Sequence, residues 1–156
     1  MSLLSKEARG EIMDYTKRYP EKRAALLPAL HIVQRDHGWI PVDAMEEVAA
    51  LLDIRPVEVQ EAVSFYTMYN RKPVGRYHIQ VCRNISCSLL RARDITRHLS
   101  SRLGIGVGET TSDGRFTLTE VECLGSCGTA PMLQLNDAYH EDLTEERVDE
   151  ILDALP

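Results

Sequence analysis

The chain has no cysteine to spare. Its 156 residues contain four, which fall into two pairs, Cys82-x4-Cys87 and Cys123-x3-Cys127, separated by 35 residues. No Cys-x-x-Cys occurs. That removes the dithiol motif of a disulfide oxidoreductase and the short knuckle through which structural zinc is most often held. Long apolar runs are missing as well. Ala24–Leu27 and Val48–Leu52 are among the longest, far short of the roughly 20 residues that a membrane-spanning helix takes, so no membrane insertion is expected. Met1–Glu7 lacks the apolar stretch of an export signal, which points to a cytoplasmic protein. In that compartment paired cysteines serve as metal ligands or reactive thiols rather than disulfides. Basic charge is in deficit: 18 Lys and Arg stand against 24 Asp and Glu, a net charge of −6. Neutralising phosphates needs the opposite balance, so no nucleic-acid partner is expected.

What is present reads as α+β in two parts. Hydrophobic residues at 44% and charged residues at 27% are ordinary for a globular chain, and the length admits one domain or two small ones. Residues 1–73 read as four helices. Ser5 caps the first, which Pro20 ends; Leu26, Leu27, Leu30 and Val33 form the stripe of the second, with Gly38 as its stop. Pro28 inside that stripe implies a kink or a late start. Met45, Val48, Ala49 and Leu52 share a face of the third. Pro56 opens the fourth, on which Val59, Ala62, Val63 and Tyr66 align. Lys72-Pro73-Val74-Gly75 is the linker, and residues 74–156 form the second domain.

That second part alternates strand and helix. Tyr77, Ile79 and Val81 alternate with polar neighbours in a strand ending at Cys82. Ser88–Leu103 reads as a helix facing inward through Ala92, Ile95, Leu99 and Leu103. Phe116–Glu122 is a strand leading to Cys123, and its alternation slips near Val121. Met132–Leu135 is a third strand with a hairpin turn at Asn136-Asp137. Thr144 caps a last helix buried through Val148, Ile151, Leu152 and Leu155. Gly104-Ile105-Gly106-Val107-Gly108 follows a helix rather than a strand, so it is a loop and not a dinucleotide fingerprint. NADH and flavin are therefore not expected on this chain.

Each cysteine pair begins where a strand stops, which brings both pairs to one edge of a sheet. Cys87 reads as the residue just ahead of a helix, whose N-terminal amides would favour a thiolate and an anionic cluster. Gly125 and Gly128 let backbone N–H groups approach the sulfurs in the second loop. Four thiolates suit a 2Fe-2S cluster or tetrahedral zinc, and the long spacings favour iron and sulfide. His31, His37, His78, His98 and His140 stand at no paired spacing with a cysteine and read as surface or half-buried side chains. A helix-turn-helix near Asp53–Pro56 is excluded by Glu46, Glu47, Glu58 and Glu61, which repel phosphate. The eight acids from Asp137 onward and the cluster Arg91, Arg93, Arg97 and Arg102 read as solvated faces, with a docking surface as the alternative. Trp39 reads as a packing anchor of the helical part and Tyr66 as a packing residue.

The whole pattern resembles a known family. The stretches concerned are His31-Ile32-Val33-Gln34 with Gly38-Trp39-Ile40-Pro41, Val63-Ser64-Phe65-Tyr66, Val81-Cys82…Cys87, Thr111–Phe116, Glu122–Cys127 and Ala130-Pro131-Met132. They resemble the small 2Fe-2S subunit of the NADH-oxidising module of respiratory complex I, and the related subunits of NAD-linked hydrogenases and formate dehydrogenases. The resemblance implies a thioredoxin-like ferredoxin domain behind a four-helix docking domain. It implies one 2Fe-2S cluster per chain, with Cys82 and Cys87 on one iron and Cys123 and Cys127 on the other. It also implies a non-catalytic electron-transfer role beside a larger subunit that binds FMN and NADH. The location implied is peripheral, on the cytoplasmic side of the membrane. Pro131 falls where thioredoxin-like folds carry a cis-proline.

Overall fold

The Ser5 hydroxyl accepts a hydrogen bond from the Ala8 amide at 3.0 Å and so starts the first helix as a side-chain cap does. In the computed structural model, which describes residues 2–156, that helix is α1, Lys6–Thr16. A 3-10 turn at Lys22–Ala25 leads into α2, Leu26–His37. Pro28 lies in the first turn of α2, where no backbone N–H is needed, so its presence reflects a late start rather than a kink. Gly38 closes α2 with φ 77°, a left-handed conformation that glycine adopts without a Cβ clash. Helices α3, Val42–Leu52, and α4, Pro56–Phe65, follow.

The apolar faces of these helices enclose one core, in which Ile12, Leu30, Val33, Ile40, Val48, Leu52, Val59 and Val63 are almost fully buried. Two expectations need correction. Tyr66 lies beyond the end of α4 and is exposed. The aromatic that packs is Tyr69, whose hydroxyl donates to the Leu27 carbonyl at 3.1 Å. Trp39 is only half-buried, and the anchor is its neighbour Ile40. The Ile40 amide donates to the Asn70 carbonyl at 2.8 Å, a bond between distant parts of the chain that fixes the backbone where Ile40 enters the core.

The chain divides into two compact units, Met1–Pro73 and Val74–Pro156. The second contains β1, Tyr77–Cys82; α5, Ile85–Leu89; α6, Ala92–Leu103; β2, Phe116–Val121; β3, Leu133–Leu135; β4, Ala138–His140; and α7, Glu145–Asp153. Its sheet runs in the order β2-β1-β3-β4. β1 is parallel to β2, while β3 is antiparallel to both β1 and β4. Ile79, Leu118, Leu99, Met132 and Val148 fill the core of this unit. The chain is thus α+β, with the helices of the first unit preceding the sheet in sequence.

The predicted Ser88–Leu103 helix is two helices. Asn84 starts a turn three residues earlier than expected by accepting the Ile85 amide at 2.7 Å, and Arg91, at φ 70°, breaks the ladder before α6. Burial along β2 does not alternate: Phe116, Thr117 and Leu118 are buried while Thr119, Glu120 and Val121 are half-buried, and the Thr117 hydroxyl accepts the Gly75 amide at 2.6 Å. The acidic and basic stretches are not simply solvated faces, because part of each pairs with the other. His98 meets Asp149 at 2.9 Å, and Arg102 meets Asp153 at 2.9 Å, joining α6 to α7. Such exposed pairs contribute little, about 0–1 kcal/mol each, but they account for the opposite charges of the two helices. No helix among the described residues is long and apolar enough to cross a membrane.

Candidate metal centre

The register of β1 on β2 pairs Cys82 with Val121, so both parallel strands release the chain at the same end of the sheet. Cys82 is still inside the hydrogen-bonded array there. Its amide donates to Met132 O at 3.2 Å, and the following Arg83 amide donates to Val121 O at 2.9 Å. Arg83 and Glu122, the first residues past the two strands, form an ion pair across the exits. The Arg83 side chain therefore partners a carboxylate instead of reaching freely into solvent.

The two cysteine pairs lie in different surroundings. Cys82 and Cys87 are 3% and 2% exposed, whereas Cys123 and Cys127 are exposed. Cys87 is not ahead of a helix as expected, but the third residue of α5. The early cap at Asn84 is the cause, and it is reinforced by the Ser88 hydroxyl, which donates to the Arg83 carbonyl at 2.7 Å. The expected stabilisation of a Cys87 thiolate is also reversed. Burial first, and then the hydrogen bond with Cys82, push its thiol up to about 11, while a Met132 backbone hydrogen bond pulls the other way. Repulsion from the neighbouring Cys82 and Cys127 thiolates adds to the rise. A bound cation inverts this balance, because a coordinating thiol is deprotonated outright.

The second loop is shaped by its backbone and by a distant segment. Gly125 takes φ 81°, in the left-handed region, and its amide lies 3.4 Å from the Cys123 sulfur, to which it donates. A 3-10 turn runs from Cys127 to Thr129, and the Ala130-Pro131 bond is cis. Tyr139 donates its hydroxyl to Leu124 O at 2.8 Å. Glu141 accepts from the hydroxyls of Ser126 and Thr129, the latter at 2.6 Å. Sequence reasoning missed these contacts of Tyr139 and Glu141, because nothing local links residues 12–15 positions apart. Asn84, also missed, had a legible signal: an Asn two residues past a strand is a common helix start.

The histidines stand apart from the sulfurs. His78 bonds Thr119 at 2.9 Å, His98 faces Asp149 and Glu145, and His31 packs edge-on against Tyr69. Among the described residues no three His, Cys, Asp or Glu side chains draw together around a single ion. All four thiols are free. Two pairs of soft sulfur donors at one end of a sheet, with an amide directed at one sulfur, suit a group containing two irons, each taking two thiolates. The donor set thus fits a 2Fe-2S cluster.

Comparison with known proteins agrees with this geometry. The chain is 46% identical over 146 residues to a subunit of the NADH-quinone oxidoreductase of Rhizobium meliloti (strain 1021), covering 94% of this chain and 87% of that protein. It is 46% identical over 143 residues to NADH-quinone oxidoreductase subunit 2 of Thermus thermophilus, covering 90% and 79%. Among solved structures, a chain of an NAD+-reducing [NiFe]-hydrogenase in the H2-reduced state superposes with a TM-score of 0.73 at 24% identity. That match covers 84% of this chain but 22% of the hydrogenase chain, and it speaks for the fold alone. The family described as thioredoxin-like [2Fe-2S] ferredoxin matches residues 12–156, the span that holds the sheet and both cysteine pairs, and the chain belongs to that family.

Proposed function

We propose that this chain is the electron-transfer subunit of an NADH-quinone oxidoreductase, holding a single 2Fe-2S cluster through Cys82 and Cys87 on one iron and Cys123 and Cys127 on the other. The observation that carries this reading is four free thiols in the two segments that leave the parallel strands β1 and β2 at one end of the sheet. When bound, such a cluster takes up and returns one electron at a time. The chain itself makes and breaks no substrate bond. Its sheet fixes one cysteine pair out of water, its loop keeps the other at the surface, and the Gly125 amide supplies a hydrogen bond of the kind that raises a cluster's potential.

Electrons would be exchanged with the flavin of a larger partner subunit that also binds NADH. Ile85, Leu89 and Leu90 support a protein partner at this end of the sheet. They are exposed around Cys87, where large apolar side chains in water mark a contact surface. Residues 1–73 would serve as a docking domain, and exposed Phe65, Tyr66 and Met68 near the end of α4 offer a second apolar surface for it. The assembly would place the chain on the cytoplasmic side of the membrane, without inserting it. The equivalent subunit of an NAD-linked hydrogenase or formate dehydrogenase is the alternative, separated by which catalytic subunit co-purifies.

The test is anaerobic purification followed by visible absorption and low-temperature electron paramagnetic resonance after dithionite reduction. The expected result is a red-brown protein with a rhombic spin-one-half signal and roughly two irons and two sulfides per chain. A colourless protein with one zinc that resists reconstitution with iron and sulfide would overturn the reading.

A further inference from the structure

The segment between β4 and α7 touches the second cysteine loop at successive points. Tyr139 reaches Leu124, and Glu141 reaches both Ser126 and Thr129. The Asp142 amide then donates to Thr129 O at 2.8 Å, and the Leu143 amide to Pro131 O at 3.0 Å. The loop holding Cys123 and Cys127 lies outside any strand or α-helix, and these bonds are what give it a definite shape. Glu141 is the one member that reaches the loop through a charged side chain. It is exposed at its outer side, yet one of its oxygens gathers two hydroxyls that flank Cys127 in sequence.

We infer that Glu141 is a positioning residue for the cluster, acting through Ser126 and Thr129 on the Cys123–Cys127 loop and setting a negative charge beside it. This rests on the proposed function, and it assigns a role to a residue that is not a ligand. The hydroxyl bonds also hold the Glu141 carboxyl below the usual range, so the charge is present at neutral pH. The consequence is twofold. The strap keeps the exposed pair in place for iron, and the fixed anion opposes the uptake of a further negative charge, which lowers the potential.

The experiment uses the full chain reconstituted anaerobically with iron and sulfide, comparing wild type with Glu141→Gln and with a Ser126→Ala/Thr129→Ala double variant. Glu141→Gln is nearly isosteric, so folding is preserved. Two quantities are read: the midpoint potential by redox titration, and the rate of iron release to a strong chelator. For Glu141→Gln, whose amide oxygen still accepts both hydroxyls, the expected result is a less negative potential with iron release changed little. The double variant, which keeps the anion and loses the strap, releases iron faster without that upward move in potential. Wild-type values for Glu141→Gln in both measurements would overturn the inference. Faster release with an unmoved potential would overturn it too, because a merely structural residue would behave in that way. A wild-type chain that takes up no 2Fe-2S cluster would be a failure of the proposed function, and is visible before any variant is made.

Discussion

The two cysteine pairs are built by different means. Cys82 and Cys87 are buried, one within a central strand and the other within a capped helical turn. Cys123 and Cys127 are exposed, in a loop shaped by a left-handed glycine and by side chains from 12–15 residues away. Cys82 is thus positioned by backbone hydrogen bonds of the sheet, and Cys87 by a helical turn that Asn84 and Ser88 fix locally. The second pair is held by two backbone bonds from Asp142 and Leu143 together with side-chain bonds from Tyr139 and Glu141 that could be removed one at a time. A site assembled this way has a rigid half and an adjustable half, and the adjustable half is the one that meets solvent.

The largest expected effect comes from removing ligands. Replacing any of the four cysteines by Ala should drop bound iron from about two per chain to near zero, as four-thiolate ligation requires, measured by metal analysis after reconstitution. Full iron retention in Cys123→Ala or Cys127→Ala would break the equivalence of the pairs as ligands. Next in size is Leu118→Ala. Leu118 is fully buried on β2, and truncating such a residue costs about 2–5 kcal/mol, seen as a lower midpoint in denaturant unfolding. The comparison is sharpened if that variant still protects Cys82 and Cys87 from reagents in the folded state.

A smaller effect reads the pairs directly. Brief alkylation of the metal-free chain, followed by mass spectrometry, should label Cys123 and Cys127 at least about tenfold faster than Cys82 and Cys87, because burial withholds access to both and, at Cys87, also the thiolate. Equal rates would erase the distinction. The smallest effect is with pH. Burial lowers the proton affinity of His78 on β1 and of His140 on β4. The unfolded chain, with imidazoles near their ordinary value of 6.5, therefore takes up protons first as pH falls. Stability should decline as pH drops through that value, and thermal unfolding at pH 7.5 and 5.5 checks the sign.

Much of this was legible from local sequence. The strand ending at Cys82, the stop at Gly38, and the caps at Ser5 and Thr144 each express a preference that two to four neighbouring residues create. The apolar stripes of α2 to α4 could be read for the same reason. The break at Arg91 could not, because a left-handed arginine is disfavoured locally and is held by what surrounds it. Nor could the pairing of Arg102 with Asp149 and Asp153, or the grip of Glu141 on Ser126 and Thr129, since these join positions that only folding brings together. The proton affinity of Cys87 belongs with these: a nearby helix end is visible in the sequence, whereas the burial that outweighs it is not.

The double anchoring of the end of β1, by Met132 on one side and Val121 on the other, has a consequence for exchange and loss. Amides at Cys82 and Arg83 can open only when the sheet itself parts, so they belong to the slowest-exchanging group of the unit. The loop at Cys123–Cys127 opens through a few side-chain bonds and the two backbone bonds to Asp142 and Leu143, without parting the sheet. Release of the cluster should therefore track a local fluctuation of one loop rather than global unfolding, and its rate should show little dependence on denaturant until the sheet begins to melt.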